Sequence, residues 1–268
     1  MKLSIIIPSY KDPLLHKTID DILENSELGD ELEIVISLDG YWTEKPIRAD
    51  KRIKIVHLGR NRGMRGAINA GMFVAKGEFV GRLDEHCSFG KGFDKVLTND
   101  CQPNTIISPR RYFLNPVKWE IIKECGYVDY ERLVIQDMGN GIRKFSGQKW
   151  KSRTEERKDI MVDENQAIQG SFWVIPHKLW DDLIGELQTE GFGPTYQDSV
   201  EVCMKIWKAG GKLLLTKKTW YSHKHRSFSR THQEGTKENP SKREESWTYS
   251  MKMFEEYYKN ELLPRWKK

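Results

Sequence analysis

Short apolar runs alternate with amphipathic helical segments over the first third of the chain, and no other feature constrains the fold as tightly. Lys2-Leu3-Ser4-Ile5-Ile6-Ile7-Pro8 is a β-branched run closed by proline, which reads as a strand buried on both faces. In residues 14–25, Leu14, Leu15, Thr18, Ile19, Ile22 and Leu23 recur at three- and four-residue spacing, and Asp12-Pro13 marks the start of that helix. The run Leu32 to Leu38 ends at Asp39-Gly40, and the run Ile53 to Leu58 ends at Gly59. Residues 64–76 make a second helix rich in Ala and Gly, and Gly77 to Leu83 is a further strand. Strands joined by helices in this order predict an α/β fold, a doubly wound, mostly parallel Rossmann-like sheet flanked by helices, with ligands at the carboxyl ends of the strands.

Those strand ends hold Pro8-Ser9-Tyr10, Asp39, Asn61-Arg62-Gly63 and Asp84-Glu85-His86. At the end of a strand Asp84 and His86 can lean to one side while Glu85 points away. A hard oxygen ligand beside a borderline nitrogen ligand suits a first-row ion such as Mn²⁺, which could grip a nucleotide diphosphate, although a short Asp-x-His match also fits a solvated turn. Asp39 is either a turn residue in Asp-Gly or, at its strand end, an acceptor for the imide N–H of uracil. Tyr10 could stack on the same base.

The 268 residues suffice for one large domain, and 38% hydrophobic residues with nine Trp exclude a chain disordered throughout. The first apolar run, Leu3 to Ile7, is far below the roughly 20 residues that span a bilayer, and no signal-peptide h-region follows it. The expectation is a cytoplasmic protein of bacterial or viral type with no membrane span. Cys87, Cys101, Cys125 and Cys203 show no CxxC spacing and are expected to be buried free thiols. Charge is uneven: residues 212–268 carry a balance of +7, leaving −2 for the rest. Such a basic part is either a solvated face or an attraction for phosphates, nucleic acid or an anionic surface.

Residues 105–113 read as another strand, and residues 139–165, polar and rich in Gly and Lys, as an exposed excursion. Residues 167–175 read as a strand with Gly170 inside it, where backbone can approach a ligand closely. A helix over 178–187, a Gly-rich turn and a helix over 198–209 follow, the last with Asp198 and Glu201 in its first turn. Those acids either cap the helix or meet an acceptor. The strand 212–216 leads to His223-Lys224-His225-Arg226, which is either a surface loop or the completion of a metal and phosphate site. Residues 227–245 are expected to be mobile. Trp247, Met251, Phe254, Tyr257 and Tyr258 give the end of the chain a helical packing stripe.

From about Lys2 to Arg226 these pieces together resemble the GT-A glycosyltransferases of the family 2 type. Within that superfamily, Asp84-x-His86, Gly170 with Phe172, Asp198 with Glu201, and Trp207 with Gly210-Gly211 are similar to motifs of the polypeptide N-acetylgalactosaminyltransferases. The resemblance implies a GT-A catalytic domain over 1–226, with 227–268 as a mobile basic loop and a C-terminal helix packed on the same domain. It also sets His223 on that family's third metal ligand, with His225 the alternative, and Arg226 on its phosphate-binding arginine. The departures are Gln169 where that family has glycine, and Tyr196-Gln197 where it has Trp-Gly-Gly.

The implied enzyme is a Mn²⁺- or Mg²⁺-dependent hexosyl- or N-acetylhexosaminyl-transferase that moves a sugar from a UDP-sugar to a hydroxyl acceptor. Asp84, His86 and His223 would hold the metal, and Arg226, with Arg62 or Arg65, would neutralise the departing UDP. Pro8, Tyr10 and Asp39 would seat uracil, and Gly170 and Ser171 would admit the sugar. Asp198 would orient the acceptor in a retaining reaction or act as general base in an inverting one. The charge split adds DNA carrying hydroxymethylated bases to glycan or protein as an acceptor. Two other readings remain: a sugar nucleotidyltransferase, against which stands the lack of a G-G-x-G-T-R-like loop, and a nucleic-acid-binding module with Trp220, Tyr221 and Phe228 as stacking residues.

Overall fold

The computed structural model describes residues 1–225 and 240–266. In chain order the elements are β1 (Leu3–Ser9), α1 (Leu15–Asn25), β2 (Leu32–Asp39), β3 (Ile53–Leu58), α2 (Gly63–Val74), β4 (Phe79–Leu83), β5 (Cys87–Phe89), α3 (Phe93–Asp100) and β6 (Thr105–Asn115). Then come β7 (Glu120–Ile121), β8 (Tyr127–Val128), β9 (Glu131–Asp137), β10 (Arg143–Lys149), α4 (Lys151–Glu156), β11 (Val162–Asn165), β12 (Phe172–Pro176) and α5 (His177–Leu183). The last are α6 (Asp198–Lys208), β13 (Lys212–His223), α7 (Pro240–Tyr257) and, after a π-helical turn over Tyr258–Leu262, α8 (Leu263–Arg265).

The main sheet runs β11-β13-β6-β12-β4-β1-β2-β3. β1 pairs in parallel with β2 and β4, and β2 with β3. Every residue of β1 is buried, because its period-two alternation feeds two cores. Ile5 and Ile7 pack with Leu15, Ile19 and Ile22 of α1 on one face, while Ile6 packs with Ile68 and Met72 of α2 on the other. The Ala/Gly composition of α2 has a steric cause: a Cβ on Gly71 would come within 2.4 Å of Ile6 Cγ2, so only glycine lets the helix lie this close to the sheet.

The sheet departs from the expected parallel winding at β12, which is antiparallel to both β4 and β6. That reversal matters for the site, because it sets the start of β12 beside the end of β4. The strand expected over 167–175 begins only at Phe172, and residues 167–171 approach the site as irregular chain. Residues 139–165 are largely exposed, as expected, but they are regular structure rather than an irregular excursion. They supply β10 of an antiparallel hairpin with β9, then α4 and β11, anchored by Leu133, Phe145 and Tyr130, none more than 3% exposed. The helix expected over 178–187 stops at Leu183, and α7 starts at Pro240, ahead of the expected Ser246. Met251, Phe254, Tyr258 and Leu262 of this C-terminal segment join the core around Trp173 and Trp207. Arg226 and the rest of the expected loop up to 239 lie outside the described residues.

Candidate active site

β4 delivers Asp84 and His86 to one point, and β13 delivers His223 to the same point. The Asp84 N–H donates to Ser171 O at 2.9 Å, which ties the end of β4 to the start of β12. β13 pairs with β5 so that His223 stands opposite Cys87, next to His86. His223 Nε2 lies 3.1 Å from both Asp84 Oδ2 and His86 Nε2, and Asp84 Oδ2 lies 3.8 Å from His86 Nε2. All three side chains are largely buried, His86 completely.

The tautomer of His86 is fixed from behind. Its Nδ1 faces Asp12 Oδ2 at 2.9 Å, and a carboxylate can only accept, so in the neutral ring Nδ1 carries the proton and Nε2 presents a lone pair to the site. Three ligand atoms thus converge where one proton, on His223 Nε2, can serve only one acceptor fully. The buried Nδ1 of His223 has no hydrogen-bond partner. A divalent first-row ion, with ligand bonds of roughly 2.1 Å, spaces neighbouring ligands about 3 Å apart, so this donor set fits one. An imidazole held by a carboxylate on its far nitrogen is the usual support of a metal-binding histidine.

Arg82 organises the carboxylates. It lies two residues before Asp84 on the same face of β4, with Nη2 2.8 Å from Asp84 Oδ1 and Nε 3.8 Å from Asp198 Oδ2. Its Nη1 donates to Gly170 O. Burial alone would raise the Asp84 pKa, but Arg82, then His223 and His86, hold it well below the ordinary carboxylate value. Burial lowers His223 to about 4 against the opposing pull of Asp84, so this imidazole is neutral at pH 7.

Glu85 turns away from the triad, as expected, and accepts the Tyr10 N–H at 2.6 Å. The Tyr10 ring is nearly buried, edge-on to Tyr41, whose hydroxyl bonds Ser9 Oγ. Pro8 lies buried inside β1. Asp39 Oδ1 accepts the Arg62 N–H at 2.6 Å and its carbonyl accepts from Asn61, so the end of β2 shapes the loop before α2, with the Arg62 side chain exposed. Ser171 Oγ bonds the Tyr221 hydroxyl at 2.8 Å. His223, rather than His225, meets Asp84, and the His225 ring stacks on Phe113.

Arg65 corrects an expectation. It is fully buried, pairs with Glu201 and donates to Tyr196 O and Gln188 O, so it has no reach to a diphosphate. The two acids of α6 therefore divide: Glu201 serves that buried pair, and Asp198 faces Arg82. Sequence reasoning missed Asp12 and Arg82. Asp12 was legible only as a helix start, which it also is, accepting the Leu14 N–H at 2.8 Å. Arg82 had a signal in its i, i+2 spacing from Asp84.

Residues 4–175 match the glycosyl transferase family 2 profile, well over half of the chain. The chain belongs to glycosyl transferase family 2. This glycosyltransferase is 29% identical over 110 residues to the uncharacterized glycosyltransferase EpsJ of Bacillus subtilis, covering 38% of this chain and 31% of that protein. Among solved structures it resembles GalNAc-T7, crystallised with UDP, GalNAc and Mn²⁺, at a TM-score of 0.75 and 19% identity, covering 97% of this chain and 50% of the other. It also resembles S. aureus TarS at a TM-score of 0.57 and 15% identity, over 84% of this chain and 37% of the other. At these identities the two structures support the shared GT-A fold. The chain spans half or less of the length of each of these proteins. The family match is to glycosyl transferases and not to sugar nucleotidyltransferases. No helix among the described residues is long and apolar enough to cross a membrane.

Proposed function

We propose that this glycosyltransferase uses a UDP-sugar donor with Mn²⁺ or Mg²⁺ at Asp84, His86 and His223. The observation that carries the reading is the convergence of those three ligand atoms, with His86 locked by Asp12. The GalNAc-T7 structure, which holds UDP and Mn²⁺, supports it. A divalent ion bound there supplies positive charge for the departing diphosphate.

The chain's own residues do the rest. Arg82 holds Asp84 ionised and oriented, and its contact with Gly170 O fixes the backbone beside which the sugar would lie. Tyr10 and Asp39 line the base side at the ends of β1 and β2, with Arg62 and Arg226 as cations for the phosphates. Asp198, held beside Arg82, orients the acceptor hydroxyl in a retaining transfer, and takes its proton if the product is inverted. The Asp-x-His set makes the retaining outcome the first to test, and the basic C-terminal part makes DNA with hydroxymethylated bases the first acceptor beyond glycans and proteins. Calorimetric titration with UDP, with and without Mn²⁺, followed by turnover of a panel of UDP-sugars, tests the scheme. UDP binding that ignores the metal would overturn it.

A further inference from the structure

Beside the triad, β6 and β9 bring together polar groups that none of these roles uses. In the parallel pairing of β6 with β13, Arg111 stands opposite Tyr221, and Phe113 opposite His223. Arg111 therefore lies on the sheet face that carries His223, one strand from the Tyr221–Ser171 contact that backs Asp84. Arg111 Nη2 is 3.7 Å from Glu131 Oε1, with both side chains largely buried. Gln169 stands fully buried against Glu131.

These groups are short of hydrogen bonds. Arg111 Nε has no partner, and neither amide atom of Gln169 has a bond of good geometry. Buried polar groups in folded proteins are normally satisfied, so such a cluster points to a ligand. Gly147 of β10 keeps it open. A Cβ there would sit 3.1 Å from Glu131 Oε2, yet the Gly147 backbone is not in the left-handed region and does not itself demand glycine. Burial, only partly offset by Arg111, raises the Glu131 pKa.

We propose that Arg111 and Glu131, left partly exposed beside Gly147 with Gln169 buried against Glu131, bind ring hydroxyls of a sugar and thereby select which sugar the enzyme accepts. A hydroxyl both donates and accepts, which suits a guanidinium and a carboxyl at one place, whereas Glu131 would repel a phosphate and Arg111 a cation. This rests on the UDP-sugar reading above. The same hydroxyls can belong to the donated sugar or to a sugar acceptor.

The test uses the Mn²⁺-loaded protein and two variants, Glu131→Gln and Gly147→Leu, each first shown by circular dichroism to keep the wild-type fold. UDP, UDP-glucose, UDP-galactose and UDP-N-acetylglucosamine are titrated by calorimetry, and transfer to methyl glycosides is followed. UDP affinity is expected to stay within about twofold. If the hydroxyls are the donor's, UDP-sugar affinity falls about tenfold; if they are the acceptor's, KM for the methyl glycoside rises about tenfold instead, the loss of one or two hydrogen bonds. Variants that match wild type throughout, or that weaken UDP as much as UDP-sugar, overturn the subsite alone. A wild-type protein that binds no UDP with Mn²⁺ overturns the reading beneath it and the subsite with it.

Discussion

Two buried clusters of acids and bases in this molecule look alike in composition and differ in saturation. Around Asp163, at the base of the β9–β10 hairpin, each carboxylate oxygen is used: Oδ2 accepts from Tyr130 and Arg157 Nε at 2.7 Å each, and Oδ1 accepts from Arg157 Nη2 at 2.7 Å. Arg153 stands 3.4 Å away as a further cation. Around Asp84 the opposite holds, because Asp84 Oδ2 and His86 Nε2 both face the single proton on His223 Nε2. A closed network of donors and acceptors fixes a fold, whereas an excess of acceptors at one point asks for a cation.

The comparison breaks first, if it breaks, at the triad. Asp84→Ala combined with His223→Ala is expected to abolish Mn²⁺-dependent UDP binding and to lower turnover by about 10²–10³-fold or more. Removing Asp84 also strips the buried Arg82 of its nearest carboxylate, so a lower melting temperature is expected and binding is scored per folded molecule. Retained metal-dependent binding in the double variant would remove the distinction between the two clusters. Asp12→Ala is expected to be milder, weakening Mn²⁺ affinity about 10- to 100-fold, as loss of a supporting carboxylate does. Raising Mn²⁺ should restore UDP binding in this variant, and failure of that rescue would place Asp12 in folding alone.

Asp163→Asn should show the reverse pattern, with turnover per folded molecule unchanged and stability reduced by about 1–2 kcal/mol, discounted because Arg157 is partly exposed. Burial raises the Asp163 pKa, but the bonds from Arg157 and Tyr130 bring it down to about 2. A depressed folded-state pKa means that its stabilisation is complete above the unfolded value near 3.8 and is lost as pH falls toward about 2. Urea unfolding of wild type and variant should therefore differ by a constant amount from pH 5 to 7 and converge near pH 2. A gap that persists at pH 2 would mean the network acts by packing rather than charge.

The front half of the chain was legible because its evidence is local. Each strand of the β1–β4 region is a contiguous apolar run, its helices have regular spacing, and the strand ends carry Asp39 and Asp84 by topology. The β9–β11 region was misread because its core contacts come from far away in sequence: Tyr130 needs Asp163, and Phe145 needs Tyr258. Polar composition gave no sign of those partners. Arg65 was misassigned for the same reason, since an arginine near the end of β3 looks ligand-facing until Glu201, 136 residues on, is seen to claim it. Asp12 was hidden because its work is to hold another side chain, which no spacing announces, whereas Arg82 could have been found from its i, i+2 spacing to Asp84.

The smallest effect discriminates between two histidines. His225 is exposed, stacks on Phe113 with ring centroids 5.3 Å apart and meets the His223 ring edge-on. Replacing it should cost the stacking contact alone, about 0.5–1.5 kcal/mol at most. His225→Ala should therefore bind UDP and Mn²⁺ within a few-fold of wild type, while His223→Ala loses the metal dependence. The single-residue offset is what β13 enforces: His223 is paired with Cys87 and Phe113 on its neighbours, which turns it to Asp84, and two residues further on the strand has ended. If His225→Ala were the damaging change, the pairing at the end of β13 would have to shift on ligand binding, and the saturation argument would then apply to a rearranged site rather than to this one.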